Sequence, residues 1–162
     1  MKRFLAFTTG TALLFCGLAG STAVAAPGSG TAATGSVTGT LDGPARARKD
    51  GISLRTRGDV KVRTFTLTYA VGGYSGWHQH PGIVVATVVS GTVVQRIGCD
   101  KPRLWTAGQS FTEVAPHYVS NLYRTPTTGA VPAVLSITQI YPADLPATGL
   151  REEVPAPHCP AS

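Results

Sequence analysis

Apolar and polar side chains alternate with a period of two from Val60 to Val71, in a run that is almost entirely β-branched or aromatic. A strand with one buried face reads this way, because successive side chains point to opposite sides of the pleat. Gly72-Gly73-Tyr74-Ser75-Gly76 interrupts the pattern. Ile83 to Val89 is a continuous β-branched run, Ser90-Gly91 is a turn, and Thr92 to Ile97 resumes the strand texture. Gly98-Cys99-Asp100-Lys101-Pro102 is another turn, and short strands follow around Arg103–Trp105, Ser110–Glu113, Tyr118–Tyr123 and Ala133–Ile140. Gly108, Pro116, Pro126 and Gly129 separate them. Nowhere does an apolar period of 3.6 residues persist for three turns. Many short strands at regular spacing predict an all-β sandwich or barrel.

The two ends of the chain have a different texture. Lys2-Arg3 is followed by a mostly apolar run from Phe4 to about Ala19, then by small residues up to Pro27. Ala23-Val24-Ala25 fits a small-x-small cleavage rule, which predicts a signal peptide over residues 1–25 and a secreted or periplasmic protein. The apolar run is interrupted by Thr8, Thr9, Gly10 and Thr11 and is short for a bilayer span, so no stable membrane span is expected after cleavage. Residues 26–50 are rich in Gly, Ala, Ser and Thr with few large apolar side chains, and are read as a flexible linker. The barrel is placed at 51–143 and a Pro-rich tail at 144–162.

Of the three cysteines, Cys16 lies in the leader, and the remaining pair, Cys99 and Cys159, is first read as a disulfide. It would pin the tail and close a loop worth about 4 kcal/mol in the chain-entropy model. Two free thiols or soft metal ligands are the alternatives, although neither cysteine has C-x-x-C spacing. The formal charge of the 162-residue chain is +6. Arg46, Arg48, Lys49, Arg55, Arg57, Lys61 and Arg63 carry much of the excess. No aromatic residue interleaves this cluster before Phe65, so there is no stacking platform and no nucleic-acid partner is expected.

There are four histidines. His158 sits in the Pro-rich tail and reads as an exposed imidazole. His78 and His80 are two apart, so on a strand both rings enter the same face and can share a metal ion. His117 opens a later strand and is the expected third ligand, leaving open coordination positions.

These residues carry a resemblance. Gly72, five residues, His78-Gln79-His80, three residues, Val84, six residues and Gly91 is similar to the first motif of the cupin superfamily. Gly108 through His117 and Asn121 resembles the second. The resemblance covers about Val60 to Tyr141 and implies a double-stranded β-helix, a jelly-roll barrel with one divalent metal ion inside. It also implies a hydrogen bond from Asn121 behind the ligands. Two departures stand out. Val84 occupies the place of the motif's glutamate, and the second motif is two residues short and lacks its P-x-G. Glu113, four residues before His117, either swings in as a replacement oxygen ligand or faces solvent. Three imidazoles alone suit zinc, copper, nickel or iron, whereas an added carboxylate favours manganese or ferrous iron. Trp77, Tyr69, Trp105, Phe111 and Tyr118 are candidates to line a pocket or to pack the core.

Three functions are compatible with this pattern. One is a metal-dependent dioxygenase or related small-molecule enzyme. Another is a non-catalytic module that binds a small molecule or a metal, and the third is a structural barrel. The sequence offers no second acid or base, no G-x-S-x-G, no H-E-x-x-H and no phosphate loop. It leaves the small-molecule ligand open, as well as the choice between monomer and homodimer.

Overall fold

A computed structural model describes residues 28–113, 121–124 and 131–159. The described residues form twelve strands and one short 3-10 turn. Strands β1 (Ser29–Leu41), β4 (Val60–Tyr74), β6 (Ile83–Ser90), β9 (Ser110–Glu113) and β11 (Ala133–Pro142) make one layer, in the order β1-β4-β11-β6-β9. A second set contains β5 (His78–Gln79), β7 (Thr92–Ile97), β8 (Arg103–Thr106), β10 (Asn121–Arg124) and β12 (Glu152–Glu153), in the order β8-β7-β10-β5-β12. The two sets join into one ten-stranded sheet where Arg124 pairs with Tyr74. All pairings are antiparallel. A separate hairpin is formed by β2 (Arg46–Lys49) and β3 (Ile52–Arg55).

The core lies between the layers and draws on both. Tyr69 of β4, Val84, Ala86 and Val88 of β6, Val93 of β7, Phe111 of β9 and Ala133, Leu135 and Ile137 of β11 form one buried cluster. Along β11 every second residue is buried, from Ala133 through Leu135, Ile137 and Gln139 to Tyr141. The period-two reading of the sequence therefore holds, and the fold is all-β, as expected.

The turn at Ser90-Gly91 is not a hairpin. Strand β6 pairs with β11 and β9, whereas β7 pairs with β10 and β8. The chain crosses from one layer to the other in a single residue. Gly91 takes φ +73°, and a Cβ there would come within 2.6 Å of the Pro132 carbonyl oxygen. A side chain at this corner would collide with the backbone that leads into β11.

Residues 28–50 correct the linker expected at 26–50. Ser29–Leu41 is a strand, laid antiparallel along β4 from Leu41↔Val60 to Thr31↔Tyr69, with bulges near both Thr31 and Thr34–Val37. Its stabilisation comes from the backbone ladder on an existing strand, not from buried side chains, most of which are exposed. The basic segment 46–55 is likewise a hairpin, with Arg46 directly opposite Arg55. The barrel layer thus begins before residue 51. Among the described residues of the tail from 144, Ala147–Gly149 makes a 3-10 turn and Glu152–Glu153 the strand β12. Cys99 and Cys159 are disulfide-bonded with a Cα–Cα distance of 5.4 Å. Strand β10 begins at Asn121, and the start of the expected Tyr118–Tyr123 strand lies outside the described residues.

Candidate metal centre

His78 lies on the two-residue strand β5, and His80 follows it by two positions, so both rings point the same way. The rings meet edge to face with centroids 4.8 Å apart. Glu113, the last residue of β9, completes the group. Its Oε2 is 3.2 Å from His80 Nε2 and 3.6 Å from His78 Nε2. One donor atom from each of the three residues lies within 4.8 Å of the others. His78 and Glu113 are buried, and the His80 side chain is 10% exposed.

The register explains how Glu113 arrives there. Val84, at the place of the motif glutamate, pairs directly with Glu113 across β6 and β9. Directly opposed residues share a face, with Cβ atoms about 5 Å apart. A carboxylate on β9 therefore stands directly opposite Val84 of β6, at the same level of the barrel. Gln139 of β11 pairs with Val84 from the other side, so Gln139, Val84 and Glu113 form one inward-facing row across three strands. Of the two alternatives for Glu113, the structure takes the inward one.

Each histidine is held from behind. His80 Nδ1 is 2.6 Å from the Leu150 carbonyl oxygen, and His78 Nδ1 is 3.1 Å from the Gly76 carbonyl oxygen. A carbonyl can only accept, so each Nδ1 carries the proton and donates it. In a neutral ring the Nε2 lone pair then faces the Glu113 carboxylate. Lone pairs facing an anion repel unless a cation stands between them. Glu113 Oε2 is buried and accepts no well-formed hydrogen bond, although both Nε2 atoms face it. An orphaned carboxylate oxygen opposite two imidazole nitrogens is a donor set that fits a divalent cation.

Burial pushes the Glu113 carboxyl pKa up, but hydrogen bonds and charge from His78 and His80 outweigh it and hold the group below the usual carboxylate range; without an ion this requires the rings to present Nε2–H to the carboxylate. Burial, with Glu113 adding to it, pushes the Tyr69 phenol well above its ordinary value. Tyr69 also hydrogen-bonds Ser75, whose Oγ lies 3.5 Å from His78 Nδ1. Tyr69 is thus part of the surroundings of the site and keeps its proton.

The other candidates separate. Trp105 and Phe111 stack at 5.3 Å in the core, and Trp105 Nε1 donates to Gln95 Oε1 at 3.0 Å. Trp77 is half-buried and gives its carbonyl to the Val154 amide. The backbone of Asn121 pairs with His78 on one side and Ile97 on the other. His117 and Tyr118 lie outside the described residues. Sequence reasoning missed Gln139, whose amide Nε2 is 3.4 Å from His80 Nδ1 and whose Oε1 is buried without a partner. The signal was present: Gln139 is a polar residue at an inward position of an otherwise apolar alternation. Leu150 had no such signal, because it acts through its backbone.

Fold and site together define an all-β protein with an inward-facing His-His-carboxylate group. No protein-family model and no curated protein sequence matches the chain. Among solved structures it is similar to a cupin-like protein from Thermotoga maritima, with 17% identity and a TM-score of 0.45, over 61% of this chain and 78% of that one. A DMSP lyase from Ruegeria pomeroyi shares 15% identity with a TM-score of 0.46, over 57% of this chain and 42% of that one. An oxalate oxidase shares 19% identity with a TM-score of 0.39. That match covers 48% of this chain and spans 40% of the oxalate oxidase.

Proposed function

We propose that this protein is an exported metal-binding cupin in which His78, His80 and Glu113 hold one divalent ion, with His117 as a fourth donor. The observation that carries the reading is the buried, unpartnered Glu113 Oε2 facing two Nε2 atoms whose rings are fixed by backbone carbonyls. Two imidazoles and a carboxylate favour ferrous iron or manganese over softer alternatives such as copper, nickel or zinc. Bound there, the ion would supply Lewis acidity and open positions for a small molecule.

The chain's own residues do the rest. Gly76 and Leu150 carbonyls hold the proton of each neutral ring on Nδ1 and so turn Nε2 toward the ion. The core residues Val84, Tyr69 and Phe111 exclude water from one side. Tyr69 keeps its proton and is a hydrogen-bond donor, not a base. We assign the site to mononuclear metal-dependent, oxygenase-type chemistry on a small organic ligand. The second reading is a non-catalytic metal or small-molecule binder, and it is favoured by Tyr69 holding its proton. Export is supported by the Cys99–Cys159 disulfide, which belongs in an oxidising compartment.

Metal analysis of the purified protein tests the reading. One equivalent of iron or manganese is expected in the wild type, and loss of it in His78→Ala and Glu113→Gln. Folded wild-type protein that takes up neither ion would end the proposal. Oxygen uptake with catechols, thiols and flavonols then divides enzyme from binder. The amino-terminal sequence of exported protein is expected to start at Ala26.

A further inference from the structure

The tail does more than cover the barrel. Residues 150–154 run along the segment Ser75–His80, which contains β5, the strand that carries His78. Leu150 gives its carbonyl to His80 Nδ1. Arg151 Nη2 donates to the Ser75 carbonyl, and Arg151 Nε pairs with Glu153 Oε1 at 2.6 Å. Glu152 and Glu153 pair in register with Gln79 and His78. Gln79 Nε2 donates to Glu152 Oε2, and the Val154 amide donates to the Trp77 carbonyl at 3.1 Å. The Leu150 side chain is 6% exposed, which seats the near end of the segment, and Cys159 ties the far end to Cys99.

We propose that this C-terminal strap is a positioning element of the metal centre, locking the His80 tautomer, and that the Cys99–Cys159 bond holds it in place. The inference rests on the metal reading above but adds a distinct claim about what sets the site's affinity. Strand β5 has two residues and cannot hold its own geometry. It is braced by β10 on one edge and by the strap on the other. Freed of the strap, His80 Nδ1 loses its strongest acceptor, and the ring can place its proton on Nε2, where no metal then binds. The strap residues touch neither the ion nor a substrate, so they act through His80 and are positioning residues.

Two measurements on the full chain decide this. The first is the ring nitrogen spectrum of His80 in 15N-labelled, metal-free protein. The second is a Co2+ titration followed by the visible d–d absorption. Cys99→Ala/Cys159→Ala is expected to turn the single Nδ1–H tautomer of His80 into a mixture. It should also weaken Co2+ by about 10- to 100-fold, the range for an outer-sphere partner. Arg151→Ala, with the disulfide intact, should move both readouts in the same direction and serves if the cysteine variant fails to fold. Wild-type ring shifts and wild-type Co2+ affinity in a folded variant would overturn the inference. If the disulfide-bonded wild type binds no Co2+, the metal reading fails. The His80 ring shifts, which need no metal, still judge the strap.

Discussion

Val84 and Glu113 stand at directly opposed positions on neighbouring strands. Because they are opposed across β6 and β9, a carboxylate at either position reaches the same point in the barrel. Glu113→Gln removes the negative charge and is expected to weaken metal binding by more than about 100-fold, beyond the cost of an outer-sphere partner. Adding Val84→Glu to that variant should recover a large part of the loss, and calorimetric titration with Mn2+ measures both. Acidification gives a second handle on the same residue. With its folded pKa depressed, Glu113 contributes stability that is fully present above the unfolded value of about 4.3 and is lost as pH falls through the folded value. Thermal melts of metal-free protein below about pH 4.3 should therefore decline more steeply for wild type than for Glu113→Gln. Equal slopes would show that Glu113 is not held ionised.

Strand β1 makes the corresponding point for elements. It has almost no large apolar side chains, and its exposed Val37 faces away from the core. Yet it covers the outer edge of β4 over nearly its whole length. Deleting residues 28–41 would leave that edge unpaired, and concentration-dependent association seen by light scattering is the expected result. A monomeric deletion variant at high concentration would refute this. The same strand explains where sequence reading stops. Strands β4, β6, β7 and β11 were legible because alternating burial writes itself into side chains such as Leu135, Ile137 and Val93. Strand β1 is held by backbone hydrogen bonds, which leave no trace in side-chain polarity. The pairing of β6 with β11 and β9, not β7, was hidden for a related reason: Gly91 marks a turn without saying which way it goes. At the site, the His78 and His80 spacing was plain. The inward orientation of Glu113 depended on a cross-strand register that a single strand does not encode, and the Leu150 contact on a carbonyl that every residue possesses.

At the scale of the molecule, Cys99 and Cys159 are separated by 60 positions, and opening their bond should cost about 4 kcal/mol in the chain-entropy model. Denaturant unfolding of Cys99→Ala/Cys159→Ala against wild type reads this directly, and a difference near zero would mean that the tail is held by its other contacts alone. The donors gathered at the centre come from β5, its exit and β9, with the strap behind them, so they belong to stretches of chain far apart in sequence. An ion seated there would act as a bolt through several plates, and the sulfur bond as a rivet at the rim of the same joint. Each fastener would owe part of its grip to the other. Withdrawing both should therefore loosen the structure by less than the sum of the two separate losses, because the shared part goes with either one.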